Sequence, residues 1–290
     1  MNFSSLPALD RYLSLQEMQA VFKSATQEKG FSQQVVGYSK QDRPIELLKY
    51  VHPSVAQDTI QNKSLRPRIL LYGGEDATEP IFSQTIKWVI QELKNQQSTI
   101  HALNCDWYFI DCINPDGYLL NEEWYCQPGD LTAFFEHAWE DEHTQMIFMN
   151  AERPEVKALH HAFEICTPDF VFNMHDESHF PADGYKLAFS APVDTHLLND
   201  HFKRVSADMD ISKDERIIMD SYGQEACFST HMALKQNPEA FIFINESCGY
   251  KRVQNTDEFE VLEPGHPVYT HLQRYQSILN HDAFIYLHYI

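Results

Sequence analysis

The chain has 290 residues, 43% hydrophobic and 13% aromatic, enough to bury a sizeable core. Its formal net charge of −20 argues against a nucleic-acid or anionic-membrane partner. No apolar run reaches the length of a membrane helix, and the first residues carry neither the basic nor the apolar region of a signal peptide. The six cysteines are scattered without a CxxC pair, which fits free thiols in a reducing compartment, so a cytoplasmic location is expected.

Residues 1–30 read as a helical extension. Leu15, Met18, Val21 and Phe22 recur at helical spacing, and Gly30 is a stop signal. Residues 32–38 and 45–51 read as two strands joined by a polar turn. Residues 66–72 form an apolar strand that ends at Gly73-Gly74, and Pro80 then opens a helix to about residue 95. A continuous apolar strand over 107–113 follows, as in the interior of a parallel sheet, and ends in the turn chemistry of Asn114-Pro115-Asp116-Gly117. Residues 118–152 show weak periodicity, with a short helix over 131–139. A helix over 154–166 is broken by Thr167-Pro168, and a strand over 170–174 runs into His175. A strand over 186–190, a helix over 194–209, a strand over 241–244 and a helix over 267–279 complete the chain. Strands that alternate with helices predict an α/β fold: one domain over 1–290, with a mixed, mostly parallel sheet covered on both faces.

Three of the strand ends carry chemistry. Asp76 and Glu79, His175, and Glu246 all lie just past apolar strands, and such positions converge on one crevice in an α/β sheet. Two carboxylates and an imidazole make a three-ligand metal site with a position open for water. A further carboxylate can serve as general base. Taken singly, each residue has a plainer reading. Asp76 and Glu79 suit the N-terminus of the helix at Pro80, His175 suits a structural histidine, and Glu246 an ordinary strand-end acid.

The ordered set resembles the zinc carboxypeptidases of the carboxypeptidase A type. The motifs that carry the resemblance are Asp76-Ala77-Thr78-Glu79-Pro80, Asn114-Pro115-Asp116-Gly117, Asn173-Met174-His175-Asp176 and Phe243-Ile244-Asn245-Glu246. Glu155 in Arg153-Pro154-Glu155 is similar to a helix start of that family, and residues 36–45 to its first hairpin. The resemblance implies an eight-stranded mixed sheet with helices on both faces. It also implies one zinc ion held by Asp76, Glu79 and His175, with Glu246 as the base. Tyr222 lies near the position of the family's mobile substrate-contacting tyrosine, although a Tyr-Gly turn is an equally good reading of it.

Two departures stand out. Asp76 occupies the place of a histidine, so two carboxylates cancel the charge of a divalent ion. The resemblance then implies a weaker Lewis acid, a less acidic bound water, and better competition from manganese or another hard ion. The family's Asn-Arg anchor for a terminal carboxylate has no counterpart at 130–135, and no Lys or Arg occurs between Asn95 and Glu152. Arg153 is one candidate to supply a substrate-binding cation from elsewhere. Three functions compete on these grounds. The first is a metallopeptidase-like hydrolase cleaving an amide in a peptide or peptide-like small molecule. The second is a catalytically impaired relative that binds a peptide or ligand. The third is a deacylase of N-acyl amino acids.

Overall fold

In this computed structural model the described residues are 12–52, 66–75, 79, 81–125, 152–176, 186–190, 235–247, 250–252 and 259–261. The helices expected over 131–139, 194–209 and 267–279 lie outside them.

Helix α1 (Leu15–Ala25) opens with a capping box. The Ser14 hydroxyl accepts from the Glu17 amide, and the Glu17 carboxylate accepts from the Ser14 amide, so two otherwise orphaned donors are satisfied. Strands β1 (Phe31–Tyr38) and β2 (Pro44–Tyr50) form an antiparallel hairpin. Next come β3 (Arg68–Gly73), α2 (Ile81–Lys94), the single turn α3 (Thr99–Ala102), β4 (Asp106–Ile110) and α4 (Pro115–Tyr125). Helix α5 (Pro154–Cys166), β5 (Phe170–Asp176), β6 (Lys186–Ser190) and β7 (Phe241–Ser247) follow. Two three-residue strands, β8 (Tyr250–Arg252) and β9 (Phe259–Val261), pair only with each other.

The main sheet has the order β1-β2-β4-β3-β5-β7-β6. Its centre, β4-β3-β5-β7, is parallel, and both edges are antiparallel. This is the mixed sheet expected from the sequence, and the described residues supply seven of its strands. All five residues of β4 are buried, which explains why that strand reads as an unbroken apolar run. On one face Trp88, Val89 and Leu93 of α2 and Phe22 of α1 pack over Leu71, Trp107, Phe109 and Phe172. On the other, Val156, Leu159, Ala162 and Phe163 of α5 cover Leu47, Leu70, Tyr108 and Val171. Helix α5 lies directly against β1 because Gly37 has no side chain: a Cβ there would sit 2.4 Å from the Cβ of Ala158.

The sequence predicts a turn at Asn114-Pro115-Asp116-Gly117, but the structure begins α4 there. Asn and Pro serve both roles. The Asn114 side chain accepts from the Gly117 amide at 3.1 Å, and Pro115 fills the first helical position. This start buries Asp116, which grips the β1–β2 turn. Its carboxylate accepts from the Ser39 hydroxyl at 2.6 Å, the Gln41 amide at 2.9 Å and the Arg43 guanidinium at 2.6 Å. Glu155, at the start of α5, holds the same turn by accepting from the Lys40 amide at 2.9 Å. Removing the Asp116 carboxylate orphans several donors at once. Asp116→Ala is therefore expected to cost about 2–3 kcal/mol, read as a lower urea midpoint with an unchanged slope.

A second buried acid, Asp111, follows β4. Burial pushes its carboxyl up to about 8, against the pull of the amide donors of Glu46 and Cys112. The folded chain thus holds a proton that the unfolded chain, with a carboxyl near 3.8, has released. Stability conferred by this group falls as pH rises from about 4 to about 8. Asp111→Asn should flatten that decline when wild type and variant are compared by denaturant unfolding at both ends of the range.

Candidate metal centre

The site is built where β3, β5 and β7 end side by side. Residues Ile69–Gly73 of β3 are buried, and the chain leaves the sheet at Gly73-Gly74. Gly74 has φ +73°, in the left-handed region, and a Cβ on Gly73 would lie 2.5 Å from the Cβ of Phe82. The amides of Ile113 and Asn114 bind the carbonyls of Gly73 and Gly74, which ties this turn to the end of β4. Glu75 follows directly and is buried, with 1% exposure. Glu79 stands just before α2.

In β5, Asn173 pairs with Tyr72 and Met174 with Gly73, so His175 is the next rung beyond β3. His175 in turn pairs with Glu246 of β7, and the ladder runs on to Asp176 and Ser247. The sequence places His175 and Glu246 beyond their strands, because the apolar run stops before them. The backbone pairing does not stop there, and both residues lie within strands.

The side chains of Glu79 and His175 converge. Nδ1 of His175 is 2.6 Å from Oε2 of Glu79. Oε2 of Glu75 lies 3.7 Å from Nε2 of the same ring, on its other side. Asn173 donates from Nδ2 to Oε2 of Glu75 at 2.7 Å, while Oε1 of Glu75 and Oδ1 of Asn173 are buried without a hydrogen-bond partner. His175 itself is only 5% exposed. The Glu79 carboxylate and the His175 imidazole, in mutual contact, are a pair of donors that suits a divalent cation, with the orphaned buried oxygen of Glu75 beside them. Oxygen and imidazole ligands together suit zinc and also admit harder ions. Among the described residues no group of three histidine, cysteine or acidic side chains is arranged to hold such an ion.

The remaining expected site residues divide as follows. Asp76 and Tyr222 lie outside the described residues, and Glu246 is placed by its backbone alone. Arg153 caps α5, and its Nε contacts Glu155 at 3.2 Å, which places it with the network around the β1–β2 turn. Cys112, which packs at the Gly74 turn, is a buried thiol pushed far up by desolvation, so it stays neutral. Glu75 is the functional candidate that sequence reasoning missed. The signal was its position at the first residue after the glycine pair, and its burial appears only once β3 is paired on both sides.

Comparison with known proteins agrees with this arrangement. The sequence model of the zinc carboxypeptidase family matches residues 18–145. No curated protein matches the chain. Among solved structures, bovine thrombin-activatable fibrinolysis inhibitor, crystallised with tick carboxypeptidase inhibitor, superposes with a TM-score of 0.62 at 15% identity, covering 97% of this chain and 99% of that one. Carboxypeptidase A from Helicoverpa armigera gives a TM-score of 0.62 at 15% identity, over 94% of this chain and 74% of the other. A metallo-carboxypeptidase from Burkholderia cenocepacia gives 0.60 at 15% identity, over 94% and 70%. These likenesses establish the shared fold, and over residues 18–145 the sequence itself is similar to the zinc carboxypeptidase family.

Proposed function

We propose that this chain is a divalent-metal-dependent hydrolase that cleaves an amide bond in a peptide or peptide-like small molecule. The observation that carries this reading is the contact between Nδ1 of His175, at the end of β5, and Oε2 of Glu79, just before α2, in a fold shared with zinc carboxypeptidases. An imidazole and a carboxylate in such contact can share a divalent cation. Glu79 and His175 hold the ion, with Asp76 as a further carboxylate. A bound divalent cation, zinc or manganese, polarises a scissile carbonyl and makes water a competent nucleophile near neutral pH.

The chain's own residues take the proton work. Glu246, beside His175 in the ladder, removes a proton from the attacking water and returns it to the leaving amine. Tyr222 contacts the bound substrate. Carboxylates dominate the centre, since Glu75 and Glu79 flank one imidazole and Asp76 lies between them in sequence, and the stretch between Asn95 and Glu152 offers no Lys or Arg. A substrate with a free carboxylate next to the scissile bond is disfavoured there, and one with a neutral or cationic group is favoured. The same missing arginines support a second reading, in which the centre binds its ligand without turnover.

Elemental analysis of the purified protein tests the metal. About one equivalent of zinc or manganese is expected in wild type, and none in His175→Ala. Wild type that stays empty after incubation with zinc would sink the hydrolase reading. Glu246→Gln should keep its metal and lose at least about 100-fold in turnover on a panel of blocked peptides, unblocked peptides and N-acyl amino acids. A metal-loaded wild type inert across that panel would favour binding without turnover, and turnover confined to the N-acyl amino acids would favour a deacylase.

A further inference from the structure

Glu75 belongs to no expected ligand set, yet it is a fully buried carboxylate at the centre, with 1% exposure. Its oxygen Oε2 is held by Asn173 at 2.7 Å and faces Nε2 of His175 at 3.7 Å. The opposite ring nitrogen, Nδ1, faces Glu79 at 2.6 Å. One imidazole thus stands between two carboxylates, one at each nitrogen. We infer that Glu75 is a positioning residue: it accepts a hydrogen bond from Nε2–H of His175 and thereby leaves the Nδ1 lone pair to the cation shared with Glu79. This inference rests on the metal-dependent reading of the centre.

The chemistry follows from the imidazole. A neutral ring carries one N–H and one lone pair, and a metal takes the lone pair. If the proton sits on Nδ1, toward Glu79, the ring cannot ligate there. A carboxylate at Nε2 draws the proton to the far side and fixes both the tautomer and the plane of the ring. The present 3.7 Å exceeds a hydrogen bond, whereas the Glu79 contact is short, so Glu79 now claims the ring. With a cation on the Glu79 oxygens, Nδ1 would be left to the ion and Nε2–H to Glu75. Direct ligation by Glu75 fits less well, because the Glu75 oxygen that faces the ring is on the Nε2 side and Glu79 is on the Nδ1 side. Asn173 serves this arrangement by anchoring the same Oε2.

Two measurements test the assignment. The first is zinc affinity by chelator competition. Glu75→Ala should weaken binding about 10- to 100-fold while the site still saturates at one equivalent. Glu75→Gln should recover most of that loss, because its amide oxygen can accept from both Asn173 and Nε2. Equal losses in both variants would show that the charge itself is needed, as for a direct ligand, and would overturn the positioning role. So would unchanged affinity in Glu75→Ala. The second uses metal-free protein and does not depend on whether wild type binds zinc. In Glu79→Ala, long-range nitrogen–proton NMR should show an exchange-protected proton on Nε2 of His175, and adding Glu75→Gln should preserve it while adding Glu75→Ala removes it. Absence of that proton with Glu75 intact would overturn the pairing. Its presence in a protein whose wild type binds no zinc would uphold the pairing and overturn the metal-dependent reading instead.

Discussion

The structure depends on the register of three parallel strands. Tyr72 pairs with Asn173, Gly73 with Met174, and His175 with Glu246, so β5 and β7 run two rungs past the end of β3 and stop together at Asp176 and Ser247. A slip of one residue in β5 would exchange its two faces and carry His175 away from Glu79. What fixes the register is the packing on both faces. Phe170, Phe172 and Met174 face the α1–α2 side, and Val171 faces α5, so a slip would exchange the two faces of a strand packed by different helices. The meeting of His175 with Glu79 is therefore a consequence of core packing rather than of the site residues' own attractions.

The centre gathers more negative charge than a conserving exchange of ligands would require. Glu75 and Glu79 both contact His175, and Asp76 stands between them in sequence. Bringing carboxylates together out of water is costly without a compensating cation. The buried amide of Asn173 offsets part of that cost for Glu75 by donating to one of its oxygens. The remaining oxygen, Oε1, has no donor.

Much of this was legible in the sequence where local signals were unambiguous. Helix α5 is bounded by Pro154 at its start and by Thr167-Pro168 at its end, and the structure keeps both limits, with Thr167 in the left-handed region at φ 38°. The glycine pair after β3 marked the turn that frames the centre, and the alternation of strands and helices gave the mixed sheet. Legibility failed where one residue pair serves two motifs. Asn114-Pro115 reads as a turn but caps α4, and only the contact between Asp116 and the first hairpin distinguishes them. Strands β8 and β9 are too short to show a period. Glu75 was hidden for a different reason: an acid after a strand looks solvated until the strands on either side of β3 close over it.

The grip of Asp116 and Glu155 on the β1–β2 turn has a further consequence for how the chain acquires its shape. The hydrogen bonds that lock this turn span 77 residues to Asp116 and 115 residues to Glu155. An early hairpin of the chain is thus completed by residues far downstream. During synthesis the hairpin waits, with its turn unlocked, until α4 and then α5 emerge. Contacts of such long separation carry a large loop-closure cost and slow the search for the native arrangement. Until β4 emerges, β2 presents an open edge, the kind of surface on which chaperones and misassembly compete, and its other cover, α5, arrives later still.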